Sequence, residues 1–110
     1  MKRNIAMKWA KYLETPGLKQ AIGILDAGKG SRCCLGHLCH LLGVKKTHLN
    51  NQIGWLYDGQ MIVLPTSVMK LTNMRTPVGK YLGGQLAEAN DIGIPLPLIA
   101  KIIRKHYKEL

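Results

Sequence analysis

Eight residues, Cys33-Cys34-Leu35-Gly36-His37-Leu38-Cys39-His40, hold all three cysteines and two of the four histidines of the chain. Thiols and imidazoles bind soft and borderline metals, and they also serve as nucleophile and base. On a helix, Cys33, His37 and His40 fall at i, i+4 and i+7 near one face, which makes them weak metal candidates. Structural zinc needs two separated ligand pairs. Outside the cluster only His48 and His106 remain, and no further Cys. No metal and no other cofactor is therefore expected. Cys33 beside Arg32 at a helix start combines two features that lower a thiol pKa, and His37 one turn on could act as base. An i, i+4 Cys–His pair on one helix is not the usual nucleophile geometry, however, and no nearby acid orients the imidazole. The expectation is a non-catalytic protein, with a Cys33-based activity as the residual alternative. The plainer reading is that Cys34, Leu38, Leu41 and Leu42 form a buried stripe, the thiols acting as small hydrophobes.

The segment just upstream is more attractive. Glycines before a helix leave backbone N–H groups free for an anion, and the helix dipole adds to the attraction. Lys29, Gly30, Ser31 and Arg32 would form such a site, with Lys45 and Lys46 nearby. The glycine spacing is not that of a phosphate-binding P-loop. A solvated turn with an ordinary Ser31 cap is the competing reading.

These residues must be placed by secondary structure. Asn4 is expected to cap a helix running to about Glu14, with Ile5, Trp9, Tyr12 and Leu13 at helical spacing. Thr15-Pro16-Gly17 stops it. Leu18 to Leu25 is ambiguous between short helix and strand, and Asp26 to Gly30 is expected to be a loop. Ser31 should cap a second helix, from about Arg32 to Leu42, ended by Gly43. Residues 53–64 read as a β-hairpin around the Asp58-Gly59 turn. Pro65 starts a short helix, 72–84 is loop-like, and Gln85 to Asn90 is another short helix. The clearest helix is Leu98 to about Lys108. Its apolar side is Leu98, Ile99, Ile102, Ile103 and His106, and its basic side is Lys101, Arg104, Lys105 and Lys108. Those four cations form a second basic face. With the preceding helix they suggest a helix-turn-helix, but the turn from Asn90 to Pro97 looks longer than the standard one of about 3–4 residues. The expected fold is a small α+β single domain over residues 1–110, mainly helical, with one hairpin. Trp9 and Trp55 could stack on bases but are better explained as core anchors.

The chain carries 16 Lys and Arg against 6 acids, a formal charge of +10. That favours an anionic partner and excludes a DNA mimic, which needs negative charge. No run approaches the roughly 18 apolar residues of a membrane span, so no membrane partner is expected. Three cysteines, two adjacent and the third five residues on, cannot form a stapling disulfide framework, which fits a reducing cytoplasm.

In their order, Trp9, Gly23 to Leu25, the Cys33 to Cys39 helix, Leu64 to Val68, Asn90 to Gly93 and Ile99 to Ile103 span nearly the whole chain. In this pattern the chain resembles a group of small, mostly uncharacterised bacteriophage proteins. It departs from them at Arg32, where an aromatic is usual, at His37, where an aliphatic is usual, and at His40, where an acid is usual. The two histidines are thus not ligands shared by the group. The resemblance implies an accessory protein that counters a host function by binding, in the host bacterial cytoplasm. No activity carries over residue by residue. The expected partner is a nucleotide signal or a nucleic acid. The alternatives are a sequence-tolerant DNA- or RNA-binding regulator using the C-terminal helix, and a protein–protein inhibitor of an acidic host defence protein. Oligomeric state is left open, a homo-oligomer being common for binding proteins of this size.

Overall fold

The first helix, α1 (Arg3–Leu13), forms because Ala6, Trp9, Ala10 and Leu13 recur at helical spacing and are all buried. Ile5 and Tyr12 flank this stripe, half-buried. Asn4 is not its cap. Lys2 is the extended residue before the helix, and Asn4 lies exposed inside the first turn. The computed structural model describes residues 1–48 and 54–110. In chain order it has α1, β1 (Asp26–Gly28), β2 (Ser31–Arg32), α2 (Cys34–Leu41), β3 (Lys46–Thr47), β4 (Leu56–Tyr57), α3 (Thr66–Thr72), β5 (Lys80–Tyr81), β6 (Gly84–Gln85), α4 (Leu86–Asp91) and α5 (Leu96–His106). The strands make three antiparallel two-stranded sheets, β1–β2, β3–β4 and β5–β6. The result is a mainly helical α+β domain, as the sequence led one to expect.

One core unites these elements. Trp9, Leu13, Leu25, Leu35, Leu38, Tyr57, Leu86, Ile99, Ile103 and Leu110 are among its buried members. α1 packs against α5 more extensively than any other pair of elements does. The radius of gyration, 12.6 Å, is that of a single packed domain of this length, for which about 13 Å is typical.

Three expectations about β-structure fail. The loop-like stretch 72–84 holds β5 and the start of β6, Lys80 opposite Gln85 and Tyr81 opposite Gly84, so Gln85 ends a hairpin rather than starting a helix. The Asp58-Gly59 turn forms, with φ of 47° and 81° and reciprocal hydrogen bonds of 2.9 Å between Tyr57 and Gln60. The return arm, however, does not continue the hairpin predicted for 53–64. Met61 gives its carbonyl to Leu25 N–H at 2.8 Å, and Leu64 donates to Pro77 at 3.0 Å. β4 instead pairs with β3, Lys46 opposite Tyr57 and Thr47 opposite Leu56. Ile53, the expected start of the hairpin, lies outside the described residues. The loop expected at Asp26 to Gly30 is itself a hairpin, with Asp26 opposite Arg32 and Gly28 opposite Ser31. Gly28, Lys29 and Gly30 turn it at φ of 88°, 56° and 81°.

The segment from Leu18 to Leu25 is neither helix nor strand, save for one bridge from Gln20 to Arg32. It is held from outside. Fully buried Asn90 donates to the Ala21 carbonyl at 2.8 Å and accepts from Gln20 and from Cys34 N–H, each at 3.0 Å. The Asp91 carboxylate accepts from Gly23 N–H at 2.9 Å. Gly36 closes the same junction, since a Cβ there would stand 1.7 Å from the Leu25 carbonyl oxygen. Gly23–Leu25, the Cys33–Cys39 helix and Asn90–Asp91, three of the segments that carry the phage resemblance, therefore meet at one structural joint.

Candidate functional site

The cysteine helix is a packing element. Cys33, not Ser31, is the residue before α2, and its Sγ accepts from Gly36 N–H at 3.4 Å. Ser31 and Arg32 are strand residues instead. The free N–H groups expected at this helix start are used internally. Cys33 donates to Leu25 at 3.3 Å, Cys34 to Asn90 at 3.0 Å and Gly36 to the Cys33 sulfur. Three amides at this helix start are thus engaged within the protein and are not available to an anion. All three thiols are buried and free. Burial pushes Cys33 up to about 11 and Cys39 up to about 12, and drives Cys34 well above its ordinary value. The favourable helix-start position of Cys33 is thus outweighed by desolvation, and its thiol stays protonated at neutral pH.

His37 is fully buried, and its Nε2 lies 2.7 Å from the Lys19 carbonyl. A carbonyl only accepts, so Nε2 carries the proton and donates. Nδ1 has no partner among the described residues. Burial holds the His37 pKa below its ordinary value despite that bond. His40, one turn on, is exposed. Among the described residues, no three His, Cys, Asp or Glu side chains are grouped to hold a metal ion.

A different constellation emerges around Asp26. Its carboxylate is closed to solvent. It accepts from Tyr57 OH at 2.7 Å, Gly28 N–H at 2.8 Å and Arg32 Nε at 3.0 Å, with Lys46 Nζ at 3.6 Å. Burial pushes its pKa up, but the Tyr57 and Gly28 hydrogen bonds and the two cations outweigh this and hold it below the usual carboxylate value. Burial and the bond to Asp26 raise the Tyr57 hydroxyl. Arg32 is thus a buried ion-pair member, 8 % exposed, rather than a free surface cation. Lys46 reaches the same carboxylate from the rim and also sits over the Trp55 ring, 4.5 Å from its centroid. His48 lies against the same indole, its ring centroid 5.0 Å from that of Trp55. Trp55 is therefore not the core anchor expected. It is half-buried, while Trp9 fills the core and donates Nε1–H to the Cys34 carbonyl at 2.9 Å.

Of the residues expected at the anion site, Arg32 and Lys46 converge on Asp26. Lys29 and Gly30 form the exposed tip of the β1–β2 hairpin, and Lys45 is exposed beside β3. Asp26 and Tyr57 were the members that sequence reasoning missed, while Trp55 was weighed for stacking but assigned to the core. The available signal was scarcity, for an acid between Leu25 and Ala27 is one of only six in the chain.

The second basic face is partly neutralised. Arg104 makes a bidentate pair with Glu14 at 2.5 and 2.6 Å, and that bond draws the Glu14 pKa down. Lys101, Lys105 and Lys108 are exposed. The connection between α4 and α5 is only Ile92 to Pro95, because α5 begins at Leu96 rather than Leu98. It therefore has the helix-turn-helix length that the sequence seemed to exceed. Two open grooves carry mixed charge. One, about 600 Å³, has Arg75 and Lys80 facing Glu88 and Glu109; the other, about 490 Å³, sets Lys45 beside Asp58. Among the described residues no helix is long and apolar enough to cross a membrane. Comparison with family models, with curated proteins and with solved structures finds no match to this chain.

Proposed function

We propose that this chain is a non-catalytic phage accessory protein that counters a host function by binding an anionic partner, and that the partner is a nucleic acid. The observation that carries the reading is the imbalance of surface charge. Of the sixteen Lys and Arg side chains, only Arg32, Lys46 and Arg104 lie within 4.0 Å of a carboxylate among the described residues. The rest are spread over the surface instead of lining one closed pocket, which suits the repeated charges of a polymer. A free nucleotide signal is less favoured, because the Cys33, Cys34 and Gly36 amides at the α2 start are engaged and both grooves contain acids. The raised thiols support the absence of Cys33 chemistry.

The four-residue connection between α4 and α5 favours a second reading, duplex binding through α5. Against it, the exposed start of α5 presents Pro97 and Leu98, and Arg104 is held by Glu14.

Anisotropy titrations with labelled single-stranded DNA, duplex DNA and RNA over a range of salt concentrations test both readings. Expected is binding whose log affinity falls steeply and linearly with log salt, as several phosphates release counterions. Failure of all three probes to bind at low salt would refute the proposal. Preference for duplex, lost on Lys101→Ala with Lys105→Ala, would establish the second reading instead.

A further inference from the structure

From the arrangement around Asp26 we infer that Trp55, Lys46 and Arg32 form a subsite for one nucleotide unit of a single-stranded nucleic acid, the base stacking on Trp55 and its phosphate meeting Lys46 and Arg32. The inference rests on the nucleic-acid reading and gives it a location.

The subsite is rigidly held. Trp55 N–H donates to the Asp26 carbonyl at 2.9 Å. At Gly54, φ is 93° and a Cβ would stand 2.5 Å from that same oxygen, so the backbone before Trp55 is pressed onto β1. The indole is half-buried and has no part in the apolar core, which Trp9 already anchors. An ordered aromatic ring at the surface offers a stacking plane to any base. The present occupant of that plane is the Lys46 ammonium, and the contact marks its electron-rich face. A base takes the same face when Lys46 turns to the phosphate. His48, exposed and tilted 51° to the indole, extends the aromatic wall.

Charge points the same way. One carboxylate, Asp26, faces two cations, Arg32 and Lys46. Asp26 is closed to solvent, so a ligand meets chiefly Lys46, a third of whose side chain is exposed, and the small open edge of Arg32, and not the carboxylate. Arg32 spends Nε on Asp26 and Tyr57. Its terminal guanidinium nitrogens have no partner among the described residues, and a phosphate oxygen would provide one. Next to the subsite, the β1–β2 hairpin approaches the indole at Gly28, where a Cβ would stand 3.9 Å from Trp55 Nε1, and the following residue, Lys29, is exposed. The half-exposed indole can be stacked on by an unpaired base, whereas a duplex keeps its bases stacked on one another.

The test titrates the intact protein with an eight-residue oligothymidylate, read by anisotropy and by quenching of tryptophan fluorescence. Trp55→Ala should weaken binding by about 10-fold or more, the usual cost of losing one base–aromatic stack, and abolish most of the quenching. Lys46→Gln should weaken binding several-fold and flatten the log–log salt slope by about 0.7, the value of one single-strand phosphate. Lys70→Gln, which removes the same charge from exposed α3, is the comparison for charge alone. His48→Ala, at the exposed edge, keeps the test decisive should Trp55→Ala unfold. If wild type binds the oligonucleotide but Trp55→Ala, His48→Ala and Lys46→Gln lose no more than Lys70→Gln, the subsite is refuted and the nucleic-acid reading stands. Thymidine monophosphate binding as tightly as the oligonucleotide would overturn the strand in favour of a free nucleotide. No binding of any nucleic acid would remove both readings.

Discussion

Replacing Asp26 should show how much of this fold depends on one carboxylate. Asp26→Ala removes the acceptor of three hydrogen bonds, from Tyr57, Gly28 and Arg32, and the counter-charge of Arg32 and Lys46. Arg32, 8 % exposed, would be left as a buried cation with Lys46 nearby and no acid. Removing one partner of a buried pair typically costs about 3–5 kcal/mol, chiefly because the other charge is stranded. Asp26→Asn keeps the shape and can still accept, but it exchanges charge-assisted bonds for neutral ones, at about 2 kcal/mol. Arg32→Met should cost less than Asp26→Ala, because Lys46 at 3.6 Å still faces the carboxylate it leaves behind. In a cycle, Arg32→Met should therefore recover part of the Asp26→Ala loss, with a coupling of about 1–3 kcal/mol. Urea unfolding followed by circular dichroism measures each term, provided the m-value is unchanged. Below the ordinary carboxylate pKa of 3.8 the unfolded chain takes up a proton that folded Asp26 resists. Its contribution is full above that value and is lost as pH falls through the lower folded pKa, a loss that Asp26→Asn should not show. An Asp26→Ala cost under about 1 kcal/mol, or purely additive effects with Arg32→Met, would refute the reasoning.

Three further outcomes follow from the α2 joint. Gly36→Ala forces a Cβ against the Leu25 carbonyl, a backbone atom that cannot swing aside, and should lower stability by about 3 kcal/mol in the same unfolding assay; a neutral effect would mean α2 does not pack there as described. Because folded His37 resists protonation, the unfolded chain takes up the extra proton below its ordinary pKa of 6.5. Stability should then fall with pH from there by up to about 1.4 kcal/mol per unit, and His37→Gln, which still offers Lys19 a donor, should flatten that slope. At pH 8, Cys33 should react with a disulfide reagent about 100-fold more slowly in the native protein than in denaturant, since raising a thiol from 9.0 to about 11 cuts its thiolate fraction by that factor; equal rates would show the helix to be open.

Much of the helical layout was legible because its signals are local. α3 and α5 begin within about two residues of where Pro65 and the Pro95–Pro97 pair place them, since proline fixes φ and lacks the donor a helix interior needs, and α4 begins one residue after Gln85. The two-residue turn at Asp58-Gly59 is legible for the same reason. What was not legible depends on long-range pairing. A turn motif fixes the bend but not the partner, so β4 could leave the arm after Asp58-Gly59 and pair with β3. Leu18 to Leu25 has no pattern of its own, because its shape comes from Asn90 and Asp91, about seventy residues away. The candidate site suffered likewise. Lys46 and Arg32 are distant in sequence, and only the sheet pairing sets both against Asp26.

This division also explains why a cysteine-rich cluster need not be the centre of function. Gly36 and Asn90 are each required at this joint, the first by lacking a side chain and the second by bonding Ala21, Gln20 and Cys34 at once. The thiols pack beside them as small apolar groups with no free ligand role among the described residues. A joint of this kind fixes where α2 lies against Leu25, and Leu25 leads directly into Asp26. Held there, β1 carries the carboxylate that orders Arg32, Tyr57 and Lys46, while the Asp26 carbonyl holds Trp55 outside the core. The chemically conspicuous residues thus set the foundation, and the surface that could meet a partner is built one strand away from them.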